Sequence, residues 1–138
     1  MFKLVTPFAL LAVAAYQDWQ TQKISDVVLS SLWLSLLVLA PEGLAPAAGV
    51  FAFLFAINTL SNYMGRALFG WGDILLLPPY FGFLFSFGVP WLALAGPAGM
   101  YLDVWFNKKP RPLAPYCLVA FAIGVLFIFF PSIVEALA

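Results

Sequence analysis

Two aspartates lie at positions where a carboxylate could take part in a chemical reaction. Asp73 ends the stretch "GWGD" (70–73), directly after two closely spaced glycines and before a run of leucines. Asp18 lies in "AAYQDWQTQKIS" (14–25), where an apolar segment gives way to polar residues. An unpaired carboxylate beside hydrocarbon costs several kcal/mol, so such groups are candidates for function. We therefore ask what the two could do together.

Two carboxylates that share a small site cannot both ionise, so one keeps its proton. The ionised member then takes a proton from water, and the protonated member polarises a carbonyl. This is the chemistry of an aspartyl protease, with Asp18 and Asp73 as the predicted catalytic pair. Gly70 and Gly72 form the predicted active-site turn, because glycine lets a substrate backbone approach closely and permits positive φ. Two plainer interpretations stay open: a helix N-cap for Asp73 and a solvated interface residue near Lys23 for Asp18.

The sequence lacks the residues that several other catalytic chemistries require. The chain has no histidine and one cysteine, Cys117. Histidine-assisted nucleophiles, the HExxH zinc helix and Cys/His zinc sites are therefore excluded, as is a disulfide framework. We predict neither a metal nor a cofactor, and Cys117 is interpreted as a small packing residue.

The composition points to a lipid environment. Of the 138 residues, 64% are hydrophobic and 9% are charged, and the mean hydropathy is +1.03. Globular chains average about 45–50% apolar and about 25% charged residues. The sequence thus predicts an all-α integral membrane protein, one transmembrane domain over 1–138. The net charge of zero, without a long basic run, argues against a nucleic-acid partner.

Charge placement decides how many helices to expect. Apolar runs lie near 2–16, 25–41, 45–64, 73–89, 90–106 and 113–137. If the chain turns at "FGVPW" (87–91), five of the six basic residues fall on one face: Lys23, Arg66, Lys108, Lys109 and Arg111. Without that turn, the 108–111 cluster moves to the other face. Because cytoplasmic loops are enriched in Lys and Arg, we predict a bundle of six short transmembrane helices with both chain ends outside the cytoplasm.

This topology places Asp18 and Asp73 at one depth, on the cytoplasmic side. It also requires that the first run is retained as a helix, although that run is similar to a secretory signal. Asn58, Asn62 and Arg66 recur every four residues and form one polar stripe. The stripe is either a structural hydrogen-bond seam or a contact to substrate or to the aspartates.

Two further carboxylates are ambiguous. Asp26, just after Ser25 at the start of the second helix, is interpreted as first-turn capping. Asp103 is either an interfacial ion pair with Lys108 or Arg111, or a third active-site carboxylate.

The same residues resemble a known family. "GWGD" resembles the GxGD motif of intramembrane aspartyl proteases, and Asp18 followed by Ile24 resembles the first catalytic motif of the type IV prepilin leader peptidase family. "KPRPLAPYCLVAFAIG" (109–124) is similar to the Pro-rich approach to the last helix in that family. The resemblance implies six helices, with the catalytic aspartates at the cytoplasmic ends of the first and fourth.

The chain is most similar to the minimal peptidases of Flp/Tad-type pilus systems, since it lacks the cysteine-bearing insertion of larger members. This implies an enzyme of the bacterial inner membrane that removes the short basic leader from prepilins, and it leaves a homodimer open.

The chain departs from the family at Leu75, where lysine is common, and at Ser25, where proline is common. A catalytically inactive assembly factor of a pilus or secretion system is the alternative, and a proton-coupled transporter is disfavoured because neither acid is at mid-span. Pro78 and Pro79 are expected to kink the fourth helix or delay its start.

Overall fold

The structure is a computed structural model that describes residues 2–65, 69–109 and 111–137. Within those ranges the chain is all-helical and has no strand, as the sequence predicted. Short 3₁₀ turns, Pro41–Gly43 and Pro90–Leu94, lead into the third and fifth helices. The helices are α1 (Phe2–Thr21), α2 (Asp26–Leu39), α3 (Leu44–Tyr63), α4 (Trp71–Ser86), α5 (Ala95–Asn107) and α6 (Ala114–Leu137).

The predicted break at 87–91 is present, and its geometry has a clear cause. Gly88 has φ +78°, a left-handed conformation that favours glycine. Its N–H donates to the Phe85 carbonyl at 3.0 Å, and the Val89 N–H donates to the Leu84 carbonyl at 3.0 Å. These two bonds form a Schellman motif, which closes the last turn of α4. Pro90 then prevents the helix from continuing.

Helix α4 is the central element and packs mainly against α3 and α2. It begins at Trp71 and runs through Pro78 and Pro79 without interruption, so the expected delay of its start is wrong. Because Pro79 has no N–H, the Leu75 carbonyl lacks its usual partner within the helix. The indole N–H of Trp33 on α2 donates to that carbonyl at 2.9 Å. A neighbouring helix thus satisfies the group that the proline leaves free.

Glycine allows the closest approach in the bundle. A Cβ on Gly82 of α4 would lie 2.7 Å from the carbonyl oxygen of Gly43, which is closer than real Cβ atoms come. The turn before α3 therefore rests directly on the backbone of α4. The remaining helices pair α1 with α6 and α2, and α5 with α6. The largest fully buried side chains are Tyr80, Phe83 and Phe121, which fill the centre.

Much of the apolar surface faces outward. In the described part of the chain, two helical stretches are long and apolar enough to cross a bilayer, Pro41–Tyr63 and Ala114–Ser132, and α2 is apolar but shorter. Little of either long stretch is buried. Such surfaces need a nonpolar environment or a partner. The other helices fall short of this test, so crossing by all six stays a prediction.

Candidate active site

Asp18 lies in the last turn of α1 and is only 6% exposed. One of its carboxylate oxygens, Oδ2, accepts a hydrogen bond at 2.9 Å from the backbone N–H of Ala114. Ala114 is the first residue of α6, so its N–H has no acceptor within its own helix. The N-terminal end of a helix also attracts negative charge. The last helix of the chain therefore holds the carboxylate of the first.

This contact was missed at the sequence level. The end of α1 opposes a negative charge through its macrodipole, and the sequence offered only Lys23 as a nearby partner for Asp18. The start of α6 offsets it instead. One signal was available: the approach to α6 reads "RPLAP" (111–115) and supplies no Ser, Thr, Asp or Asn to cap the helix. A helix without its own cap needs an acceptor from elsewhere.

The loop between α1 and α2 is turned back across this end of α1. Gln17 Oε1 accepts a hydrogen bond at 3.0 Å from the Ser25 N–H, and Gln22 takes a left-handed conformation with φ +55°. Ser25 in turn caps α2, since its Oγ accepts from the Val28 N–H at 3.4 Å. Asp26 is the first residue of α2 and lies in its first turn, as predicted, and it is exposed.

Asp73 is the third residue of α4 and is half-buried. Gly70 is the N-cap, in an extended conformation with φ −75° and ψ 160°, and its carbonyl accepts from the Ile74 N–H at 3.1 Å. Neither Gly70 nor Gly72 has positive φ, so that expectation was wrong. A Cβ on Gly72 would meet nothing within 4 Å, and one on Gly70 would meet only Asp73 Oδ2, at 3.9 Å. The glycines leave open space rather than make a strained turn.

The two aspartates line one cavity of about 330 Å³. We call this space the dyad cavity. Its walls come from the end of α1, the following loop, the start of α2 and the start of α4: Asp18, Gln22, Lys23, Ile24, Asp26, Leu29, Gly70, Trp71, Gly72, Asp73 and Leu75. Two carboxylates that line one small cavity beside open glycine backbone can share a proton and hold a water molecule.

Asn58 and Asn62, the two described residues of the predicted polar stripe, do not line the dyad cavity. Asn58 Oδ1 accepts a hydrogen bond at 3.2 Å from the N–H of Phe69, the residue just before Gly70. Asn58 therefore anchors the approach to the glycine turn and contacts neither aspartate. Asn62 is exposed and does not line the cavity. Arg66 lies outside the described residues.

Asp103 belongs to a separate cluster that joins the end of α5 to the start of α6. Its carboxylate accepts hydrogen bonds from the Tyr116 hydroxyl and the Asn107 amide. Arg111 Nε lies 3.3 Å from Asp103 Oδ2, an ion pair without hydrogen-bond geometry. Asp103 does not line the dyad cavity, so its contacts are those of the ion-pair interpretation, with Arg111 rather than Lys108 as partner. The cluster braces the loop that presents Ala114 to Asp18.

The side chains that could bind a metal ion are dispersed. Within the described ranges, no three His, Cys, Asp or Glu side chains cluster as metal ligands. Cys117 is a free thiol and is fully buried against α5, where a Cβ on Gly96 would lie 3.1 Å from its Sγ. No family model matches the chain, and neither a curated protein nor a solved structure matches it.

Proposed function

We propose that this protein is a membrane-embedded aspartyl endopeptidase that removes the short cytoplasmic leader peptide from prepilins of the Flp or type IV-like kind. One observation carries the proposal: Asp18 and Asp73, far apart in the chain, line the same small cavity. The protein would be a bundle of six short transmembrane helices in the bacterial inner membrane. Its substrate would be a leader peptide joined to an apolar helix.

The geometry supports a division of roles within the pair. Asp18 accepts the N–H of Ala114, and a hydrogen bond from an amide is stronger when the acceptor is an ionised carboxylate. We therefore assign the general base to Asp18 and the general acid to Asp73. In this scheme Asp18 takes a proton from water, and the resulting hydroxide attacks the scissile carbonyl carbon. The carbonyl oxygen takes the proton of Asp73 and gives a neutral diol.

The second half of the reaction restores the enzyme. Asp73 takes back a proton from one hydroxyl of the diol, and the carbon–nitrogen bond breaks. The leaving nitrogen takes the proton that Asp18 had accepted. The products are a carboxylic acid and an amine, and the aspartates return to their starting protonation. No metal or cofactor takes part in these steps.

The glycine turn supports a peptide substrate. Gly70 and Gly72 line the dyad cavity, and a Cβ on Gly72 would meet nothing within 4 Å. A peptide backbone could therefore approach the backbone of Gly72 closely. A scissile carbonyl in this position would be within reach of both carboxylates.

The charges support a cytoplasmic site. The loops at the dyad end of the bundle carry Lys23, Lys108, Lys109 and Arg111. At the other end Glu42 accepts a hydrogen bond from the Ser86 hydroxyl at 2.6 Å, and Lys3 is the one basic residue that the predicted topology places on that side. Basic loops face the cytoplasm in most membrane proteins. The leader of a prepilin is presented on that same side.

Cleavage of a co-expressed Flp-type prepilin tests the proposal. Wild type, Asp18→Asn and Asp73→Asn are compared by gel shift, because each substitution removes an ionisable group and nearly preserves shape. We expect cleavage by wild type and none by either variant, with all three inserted in the membrane. Glu42→Gln is the matched control: it makes the same chemical change at the far end and should cut normally.

Two results would count against the proposal. Cleavage by both aspartate variants would show that the dyad mechanism is wrong. A wild type that cuts none of several prepilins would favour the catalytically inactive assembly factor. The observation behind that alternative is Leu75, which lines the dyad cavity where the resembled family commonly has lysine.

A further inference from the structure

A second cavity adjoins the first. It has a volume of about 680 Å³ and lies between α2, α3 and α4. Asp26, Leu29 and Leu75 line both cavities, so the two spaces meet along these residues. We call the second space the apolar groove; its remaining walls are Ser30, Trp33, Ala48 and Phe51.

The groove has a defined wall. The Trp33 indole is tied to the Leu75 carbonyl by its N–H and meets the Phe51 ring edge to face, with ring centroids 6.0 Å apart. Both contacts restrict the side chain, so the aromatic surface keeps one orientation. Ala48, on α3, is small and exposed, and it gives the groove its depth. A groove with a fixed wall is suited to a ligand of definite shape.

Polarity changes along the combined space. The dyad cavity is lined by three carboxylates and Lys23, whereas the apolar groove has only Asp26 and Ser30 as polar side chains. Asp26 stands at the junction, and Leu75 makes the junction apolar on the α4 side. The segment of α2 from Asp26 to Trp33 spans two helical turns, about 10 Å. A ligand that fits both spaces is polar at one end and apolar over the next two turns.

We propose that the apolar groove receives the first two turns of the substrate's apolar helix, directly after the scissile bond. This inference rests on the proposed function and extends it, because it assigns a binding site to the part of the substrate that is not cut. Continuity with the dyad cavity selects this occupant: a chain whose peptide bond lies beside Gly72 continues past Asp26 and Leu75 into the groove. Lipid acyl chains are the competing occupant.

Disulfide cross-linking tests the site directly. The probe is a Flp-type prepilin with one cysteine in the first two turns of its apolar helix. The enzyme carries Asp73→Asn, which prevents cleavage, together with Ala48→Cys in the groove or Phe53→Cys as the control. Phe53 is 64% exposed on the same helix but does not line the groove. The native Cys117 is fully buried, and the enzyme without an added cysteine measures its background.

We expect several times more cross-linked product at Ala48→Cys than at Phe53→Cys. Equal yields at the two positions would overturn the inference and would indicate that lipid fills the groove. A kinetic measurement checks the same point in the active enzyme. Ala48→Trp should raise KM for the prepilin about tenfold and leave kcat near wild type, whereas Phe53→Trp should change neither. A fall in kcat with unchanged KM would also overturn the inference.

The two proposals fail in different ways. If wild type cuts the prepilin but the cross-links are equal, the endopeptidase stands and the groove assignment falls. If wild type cuts no prepilin but Ala48→Cys still cross-links selectively, the groove assignment stands and the endopeptidase falls.

Discussion

At the scale of single residues, the two aspartates differ in how they are held. Asp18 is buried and bonded to a backbone N–H of another helix, whereas Asp73 stands half-buried above an open glycine turn. A fixed carboxylate suits the base that orients water, and a more open one suits the acid that meets the substrate. Both carboxylates still face one cavity.

The substitution Gly72→Ala should have opposite effects on the stability of the protein and on the cleavage of substrate. Apart from its chain neighbours and its own helix backbone, nothing lies within 4 Å of the added Cβ, and Gly72 has the backbone of the first turn of α4. The free energy of unfolding should therefore rise by about 0.4–1 kcal/mol, because alanine has less conformational freedom than glycine in the unfolded chain. A new methyl group beside the scissile bond would displace the substrate by on the order of 1 Å, so cleavage should fall by about 100-fold. Thermal unfolding and prepilin cleavage measure the two effects.

Gly49→Ala is the matched control for this prediction. Gly49 also has open space around its Cβ position, but it lies on α3 and lines neither the dyad cavity nor the apolar groove. It should give a similar gain in stability with unchanged cleavage. Normal cleavage by Gly72→Ala would show that no substrate backbone lies against the glycine turn.

At the scale of helices, α4 depends on its neighbour. Leu75 is two residues after Asp73, and its carbonyl is bonded to Trp33 because Pro79 cannot donate. This bond links α2 to the first turns of the helix that carries Asp73. It therefore contributes to the position of Asp73 as well as to the stability of α4.

Trp33→Phe should remove that link while it keeps an aromatic wall. An unsatisfied carbonyl in a partly buried position costs about 1–3 kcal/mol, so we expect the free energy of unfolding to fall by about that amount. A displaced Asp73 should lower kcat more than it raises KM. Denaturation in detergent and prepilin kinetics measure these changes. Trp91→Phe is the comparison, since Trp91 is exposed in the 3₁₀ turn before α5 and makes a ring contact with Phe127.

At the scale of the whole molecule, the six-span topology predicts which loops share a side. Cysteines at Gln20 and Asn107 should be labelled by a membrane-impermeant maleimide only after the cells are permeabilised. Cysteines at Pro41 and Leu94 should be labelled in intact cells. All four positions are exposed and uncharged, so the substitutions leave the topogenic charges unchanged. Labelling of Gln20 and Asn107 from opposite sides would support five spans.

The sequence predicted the helices better than it predicted the contacts between them. Hydropathy located the apolar runs because it is a local signal, and the placement of the basic residues selected the turn at 87–91, where α4 ends. The bond from Ala114 to Asp18 could not be predicted, since it depends on how α1 and α6 pack. The conformation of Gly70 was predicted wrongly, because an N-cap glycine can be extended as readily as left-handed. The hydrogen bond from the Phe69 N–H to Asn58 could not be predicted either, because the sequence does not define where the loop that carries Phe69 lies.

The bond between Asp18 and Ala114 also sets an order for biosynthesis. The carboxylate is made with the first helix, and its N–H donor is made with the last. Until α6 has been made and packs against α1, the carboxylate of Asp18 lacks this donor. Under the proposed dyad mechanism, hydrolysis would therefore begin only after α6 has been inserted and has packed against α1.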